Sequence, residues 1–204
     1  MRRLTLFLSL LLSAAVVAQE PAPPAPPHTY TKPELRKELL AIRDEDQAIR
    51  RRWLKDQENR QLIDEMNALN VRHVARVQEI LKETGWPTKA MVGQDGSGAV
   101  WIILQHATPE VIKASLPLMK AAVDRGDIGG GLYATSVDRD RRNDGLPQIY
   151  GSQFDTTRGK CEPQPIEDPE HVDERRKAVG LNPLSEYKEQ LCEMYHPHEQ
   201  KKKE

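Results

Sequence analysis

The stretch LRKELLAIRDEDQAIRRRW, residues Leu35 to Trp53, decides the fold class of this chain. Its apolar side chains recur at steps of three, four and seven residues, which places them on one face of an α-helix. Thr31 and Pro33 supply the cap and first turn that such a helix favours. A second run with the same period ends at Gly85. One helix of fifty residues would leave its apolar face uncovered, so we expect two helices that pack antiparallel.

The rest of the chain carries further helix signals separated by turns. The segment GQDGSG, residues 93–98, is rich in turn residues. Periodicity alone does not separate a helix from a strand over the short run AVWIILQH, but Asp95 or Ser97 as a cap favours a helix. Thr108 and Pro109 are typical of a helix start, and three glycines precede a helix that ends before Gly145. We therefore expect helices near residues 99–106, 108–125, 132–142 and 168–179, and another from 183.

Two segments between these helices have turn chemistry around a few extended residues. They are GLPQIYGSQF, residues 145–154, and CEPQPIEDP, residues 161–169. Their composition predicts a small β-hairpin whose first strand runs from about Gln148 to Gln153, with Gln148 and Tyr150 on one face. The fold class predicted is therefore mainly α, a bundle-like domain of about six helices with one small β-hairpin.

The two ends of the chain differ in composition from the domain between them. Arg2 and Arg3 precede a short apolar run, and the order is typical of a signal peptide over residues 1–18 with cleavage before Gln19. An uncleaved anchor helix is the alternative. A proline-rich linker is expected over residues 19–30, one domain over 31–195, and a disordered charged tail over 196–204. The sequence thus predicts a secreted or periplasmic protein without a stable membrane span after cleavage.

Charge and cysteine content narrow the function classes. Without Arg2 and Arg3 the chain has 28 basic and 31 acidic residues, a net charge of −3, which argues against a nucleic-acid partner. The two cysteines, Cys161 and Cys192, predict a disulfide in an exported protein, with two free thiols as the alternative.

Three segments of the chain resemble, in order, an uncharacterised bacterial family known only as a domain of unknown function. They are residues 85–107, 137–154 and 165–187, with the motifs Gly-Trp-Pro, Gln-His-Ala, Asp-Arg and Gln-x-Tyr-Gly-x-Gln. The resemblance extends from about Leu35 to Tyr187. It also implies that Asp46, Gln47 and Arg50 match the family's Asp-Gln-x-x-Arg motif. It implies no activity, substrate or cofactor.

This sequence departs from the family pattern at several of its polar positions. Asn70 and His73 stand where the family tends to show Asp and Asn, Thr108 replaces an acidic residue, and Ser152 replaces a threonine. The loss of acidic groups argues against a mechanism that needs two carboxylates.

Polar side chains interrupt the apolar elements at ten positions. Buried without partners, each would cost about 1–3 kcal/mol. They are therefore expected either to line a pocket for a small polar or anionic ligand or a protein partner, or to bond one another in a purely structural network of an envelope protein. The ten residues are Asp46, Arg50, His73, Gln105, His106, Asp138, Arg139, Gln148, Tyr150 and Gln153.

An enzyme is a special case of the pocket hypothesis. His106 would be the general base of a hydrolase or acyl-transfer reaction, and Asp138 would orient it. No nucleophile elbow, phosphate-binding loop or zinc-protease motif occurs in the sequence. No cofactor is predicted, and a zinc site built from His73, His106 and Asp46 or Asp138 is only a minor variant.

Overall fold

The computed structural model describes residues 29–156 and 160–195. The predicted signal peptide, all but two residues of the linker, and the predicted tail lie outside these ranges. The predicted fold class, mainly α with one small β-hairpin, is confirmed within them. The elements are α1 (Pro33–Trp53), α2 (Arg60–Thr84), α3 (Lys89–Leu104), α4 (Pro109–Asp124), α5 (Gly130–Asn143), β1 (Phe154–Asp155), β2 (Glu162–Pro163), a 3-10 helix (Pro169–His171), α6 (Val172–Ala178) and α7 (Leu184–Tyr195).

The first two helices form the predicted antiparallel pair. Glu45 and Arg52 of α1 bind Arg72 and Glu65 of α2, at 3.0 and 3.1 Å, so the partners run in opposite order along the two helices. Gly85 follows α2 in a left-handed conformation with φ of 66°, a geometry that glycine adopts without steric cost.

The start of α3 differs from the prediction. The helix begins at Lys89 with Thr88 as its cap, ten residues before the expected start. A helix is present over AVWIIL as predicted, but the predicted turn over residues 93–98 and the predicted cap at Asp95 or Ser97 were wrong. Gly93 explains the difference, because its φ of 76° bends the chain once within a segment that is otherwise helical.

The two residues expected as caps bind neighbouring elements instead. Arg36 of α1 donates to the Asp95 carboxylate at 2.7 Å. The indole N–H of Trp86 donates to the Ser97 hydroxyl at 3.1 Å in the interior. These contacts fix α3 against α1 and against the turn that follows α2.

Helix α3 lies in the middle of the hydrophobic core. Its side chains are apolar on most sides, and core residues of α1, α2 and α4 pack in the same cluster with them. Trp101 also donates to Ser136 of α5 at 3.0 Å, which sets the position of α5 relative to the end of α3. Fully or almost fully buried core side chains include Leu39, Val77, Ile80, Val92, Ala99, Val100, Ile103, Leu104, Met119 and Ala122.

The β-hairpin pairs the end of the first predicted segment with the second, but its first strand is formed by other residues than predicted. Strands β1 and β2 pair antiparallel, with Phe154 opposite Pro163. The predicted strand from Gln148 to Gln153 was wrong, as was its alternation of faces, because only Gln148 makes a single parallel bridge, to Ile166. A φ of +67° at Gly151 turns the backbone there and breaks any extended run.

A disulfide between Cys161 and Cys192 joins the start of β2 to α7 and confirms the predicted pairing. Phe154 and Tyr187 add an edge-to-face ring contact at 5.6 Å between β1 and α7. A bridge across 31 residues contributes about 3–4 kcal/mol in the chain-entropy account. None of the helices in the described ranges is long and apolar enough to cross a membrane.

Candidate functional site

Residues 145–153, here called the clamped loop, wrap around one buried carboxylate. Asp138 of α5 is 0 % exposed. Its Oδ1 accepts from the backbone N–H groups of Ile149 and Tyr150 at 2.8 and 2.9 Å, and its Oδ2 from that of Ser152 at 2.8 Å. Gly151 makes this geometry possible, because its left-handed turn lets N–H groups on both sides of it point at one carboxylate.

Gln148 closes the same loop from the inside. Its side-chain amide donates to the carbonyls of Gln153 and Gln164 at 3.0 and 2.9 Å. Its oxygen accepts from the Gln153 N–H at 2.6 Å. Both amide hydrogens are therefore used inside the protein, and the residue is 1 % exposed.

Two arginines of α6 hold the outer carbonyls of the clamped loop. Arg175 donates to the Ile149 carbonyl at 2.8 Å, and Arg176 donates to the Tyr150 carbonyl at 2.7 Å. Arg176 is 1 % exposed, and burial lowers its pKa. Sequence reasoning missed both residues, because a run of charges in a short helix is typical of a solvated surface. Only the spacing of Arg176 from buried Val172, four residues earlier, signals a shared inner face.

The side chains of Tyr150 and Gln153 lie at the edge of the clamped loop. Gln153 donates to the Ser152 hydroxyl at 3.1 Å. Tyr150 is half-buried, and burial raises the pKa of its phenol. The ionisable residues that act on Tyr150 are Tyr133, Asp138, Arg175 and Lys120.

His106 lies in a different environment, just after α3. It forms part of a groove of about 310 Å³ between α2 and the turn that joins α3 to α4. Its Nε2 is buried and has no hydrogen-bond partner among the described residues. The residue as a whole is half-buried and lines the groove. The groove is lined by Asn70, Val71, Val74, Ala75, Gln78, His106, Ala107, Thr108 and Val111.

Burial and two guanidinium groups keep His106 uncharged. Burial lowers the pKa of its imidazole most, and the positive charges of Arg50 and Arg139 lower it further against the opposing effect of Asp46. The resulting pKa is about 4. The ring is therefore neutral at pH 7, and it can accept or donate one hydrogen bond at the groove.

The residues of the Asp-Gln-x-x-Arg segment form one cluster beside His106. Arg50 donates to both oxygens of Asp46 at 2.7–3.0 Å, and Gln47 donates to Asp46 at 2.9 Å. Arg50 also reaches Asn70 of α2 at 2.7 Å. Asp46 is 2 % exposed, so it forms a buried, charge-neutral pair with Arg50 within α1, and Arg50 extends this contact to α2 through Asn70.

Arg139 brings a second cation to His106, and this one has no acidic partner. Its Nη1 donates to the Gln105 carbonyl at 2.5 Å. Burial lowers its pKa, with a contribution from nearby Arg142. No carboxylate of residues 29–156 or 160–195 pairs with it. The Gln105 side chain donates to Ile102 of its own helix at 3.2 Å.

His73 does not join this group. It is 2 % exposed on α2, and its Nε2 lies 3.1 Å from a carboxylate oxygen of Glu45 on α1. Its Nδ1 is buried without a described partner. The sequence interpretation did not single out Glu45. It directly precedes Asp46 on α1 and contacts α2 through His73.

The structure thus sorts the predicted site residues into two main environments. Asp138, Gln148 and Gln153 build the clamped loop, while Asp46, Gln47, Arg50, Gln105 and Arg139 gather around His106, a set we call the His106 group. Asp138 hydrogen-bonds the loop backbone, so the expected pairing of Asp138 with His106 is absent. Tyr150 and His106 also share no ionisable neighbour. The catalytic and binding roles of all these residues stay predictions.

Arg139 and His106 keep hydrogen-bond donors that bind no described acidic group. Arg139 and the neutral imidazole of His106 offer hydrogen-bond donors to an acidic group, whereas Arg50 is already paired with Asp46. Within the described ranges no three His, Cys, Asp or Glu side chains come together as metal ligands would.

Comparisons with known proteins point to a family but not to an activity. A family model described as a family of unknown function (DUF6624) matches residues 33–198, which is most of the chain. Neither the curated proteins nor the solved structures contain a significant match. The match covers the α-helices and the hairpin of the described ranges, and it agrees with the resemblance seen in the sequence. The chain therefore belongs to the DUF6624 family, a family of unknown function.

Proposed function

We propose that this domain binds a small anionic ligand at the His106 group, with Arg139 as the cation that holds it. The observation that carries the proposal is the half-buried guanidinium of Arg139, which has no carboxylate partner among the described residues. Removing a charge from water without a counter-charge is costly, and a bound carboxylate or phosphate offsets that cost.

His106 contributes a hydrogen bond without a charge. Its pKa of about 4 leaves the imidazole neutral at pH 7, and the residue lines the groove. At pH 7 the neutral imidazole can add an uncharged hydrogen bond to the ligand while Arg139 supplies the positive charge, and in the absence of ligand no second cation at His106 repels Arg139.

The groove adds an apolar wall next to His106. Val71, Val74 and Val111 line it together with His106. A ligand with an acidic group and a short apolar part would place the acid against Arg139 and the apolar part along these valines.

Binding is a better account than hydrolysis for a specific reason. Asp138 was the residue expected to orient His106 as a base, and its two oxygens accept three backbone hydrogen bonds in the clamped loop. A histidine base would then act without an orienting carboxylate, whereas anion binding needs only the charge and donors present.

Mass spectrometry of the native protein, purified under non-denaturing conditions from its own cells, tests the proposal. We expect a small acidic molecule to co-purify with the wild-type protein. Arg139→Gln should lower its occupancy about tenfold, because a charge-assisted hydrogen bond is lost. Arg142→Gln is the matched control on the same helix, and it should retain the ligand. Absence of any bound molecule, or full retention by Arg139→Gln, would contradict the proposal.

We also propose that the protein is exported and secreted or periplasmic. The short apolar run after Arg2 and Arg3 and the bond between Cys161 and Cys192 support this, since disulfides persist in oxidising compartments. The mature chain is then expected to begin at Gln19. Intact mass of the protein from its own cells, with and without reductant and alkylation, checks both points. A retained leader would contradict the export proposal.

A further inference from the structure

The antiparallel helices α1 and α2 carry the same surface pattern. Residues 45–52 read EDQAIRRR and residues 65–72 read EMNALNVR, so both follow Glu-x-x-Ala-(Ile/Leu)-x-x-Arg. Since the two helices run in opposite directions, the two copies of this pattern are related by a local two-fold axis that points out of the protein between the helices.

The four charged residues of the pattern form the corners of one exposed face, here called the α1–α2 face. Glu45 pairs with Arg72 at one end, and Arg52 pairs with Glu65 at the other. Their side chains are 43–66 % exposed. Between them lies a groove of about 490 Å³. The groove is lined by the four corner residues with Ala48, Ala68, Ile49 and Leu69.

The signs of charge alternate around these four corners. Opposite signs lie side by side at each end, and opposite signs also follow one another along each helix. A second copy of this face, turned by 180° about an axis along or across the helices, therefore presents an opposite charge at every corner. A surface that complements itself in this way is what a two-fold symmetric dimer requires.

The centre of the face also suits a close helix contact. Ala48 and Ala68 are exposed and small, so the backbone of another helix can approach them. Exposed Ala41 and Ala75 lie seven residues from Ala48 and Ala68 respectively, and they continue the same stripe along each helix. With 21 and 25 residues, α1 and α2 extend well beyond the four corners.

We infer that the α1–α2 face binds a second copy of this chain and forms a symmetric dimer with four helices at its interface. The alternating charges carry the inference, and the alanines permit the approach. It does not depend on the ligand proposed above, because Glu45, Arg52, Glu65 and Arg72 lie outside the His106 group.

Analytical ultracentrifugation of charge-reversed chains tests the inference. The wild-type protein should sediment with twice the mass of one chain. Arg52→Glu combined with Arg72→Glu makes all four corners acidic, and Glu45→Lys combined with Glu65→Lys makes them all basic. Each variant alone should be monomeric, with a dissociation constant raised at least about tenfold by like-charge contacts. An equal mixture of the two should regain the dimer mass, whichever in-plane axis relates the copies.

A control and a folding check make each outcome decisive. Lys113→Glu combined with Lys120→Glu, on α4, lowers the net charge as much as Arg52→Glu combined with Arg72→Glu does. This control should leave the dimer intact. Circular dichroism shows whether each variant is folded, and recovery of the dimer in the mixture shows that both are competent. A monomeric wild-type protein at high protein concentration would overturn the inference. Dimers that persist in both single-sign variants would overturn it equally.

Discussion

The clamped loop and the His106 group are built from the same kinds of residues but differ in how their charges are balanced. In the clamped loop both oxygens of Asp138 accept backbone hydrogen bonds, and the Gln148 amide uses both of its hydrogens. In the His106 group the Nε2 of His106 has no described partner, and Arg139 has no described acidic partner. The polar groups of the clamped loop therefore satisfy one another. The His106 group keeps a ring nitrogen and a cation that a ligand can still bind.

The difference separates two meanings of a polar residue on an apolar element. Polar groups that satisfy one another stabilise the fold, because each would otherwise cost about 1–3 kcal/mol when buried. Groups that keep an uncompensated charge near solvent are suited to bind something that supplies the counter-charge. Substitutions in the two regions should therefore have opposite consequences for stability and for binding.

The largest effect is expected from Asp138→Ala. The change leaves the backbone N–H groups of Ile149, Tyr150 and Ser152 without their acceptor, and we expect the free energy of unfolding to fall by about 3–5 kcal/mol. Urea denaturation followed by circular dichroism measures this. Asp140→Ala, two residues along the same helix, is the control and should cost far less. Equal losses for the two variants would show that the clamped loop is not held by Asp138.

A smaller contrast is expected between two glutamines, one from each region. Gln148→Ala removes three hydrogen bonds inside the clamped loop and should cost about 2 kcal/mol of unfolding free energy. Gln105→Ala removes one bond within its own helix and should change stability by less than about 0.5 kcal/mol. The same denaturation experiment compares them. A costlier Gln105 variant would place the structural network at the His106 group instead.

A third effect on stability is a pH dependence that belongs to His106. Its pKa is about 4 in the folded protein and near 6.5 in the unfolded chain, so between these values the unfolded chain binds the extra proton. Stability from this residue is complete above pH 6.5 and is lost as pH falls towards 4. Partial solvent exposure limits the loss to about 1 kcal/mol.

Denaturation at pH 7 and pH 4.5 of wild type and His106→Gln isolates that effect. The wild-type protein should lose about 1 kcal/mol more than the variant over this range. His171→Gln is the control, since His171 is exposed and its pKa is raised by Asp168. Identical losses for wild type and His106→Gln would show that His106 titrates normally.

The sequence predicts the helical framework well because helix signals are local. The spacing of Leu35, Leu39 and Ile42 indicates α1, and Gly85 marks the end of α2. The sequence also favours the disulfide over two free thiols, since an even pair of cysteines in a chain predicted to be exported is typical of a bridge, and the structure confirms it. The start of α3 was not predicted, because a glycine followed by polar residues is typical of a turn. In the structure Gly93 instead bends a helix.

The grouping of the polar residues could not be predicted, because it depends on contacts between distant segments. The Gln-x-Tyr-Gly sequence is compatible with a strand until Asp138, more than ten residues away, draws three N–H groups to one side. Nothing local distinguishes Asp138, which bonds a loop, from Asp46, which pairs with Arg50. Nor does local sequence show that Arg139 ends without an acidic partner.

The pKa of His106, measured by NMR titration of its imidazole with and without inorganic phosphate, tests the central claim most directly. His106→Gln assigns the signal. We predict a pKa of about 4 without phosphate and a higher value with it, because a bound anion offsets the positive charges of Arg139 and Arg50. Arg139→Gln should raise the pKa and abolish the phosphate effect. A pKa near 6.5 that phosphate does not change would contradict the account of the His106 group as an anion site.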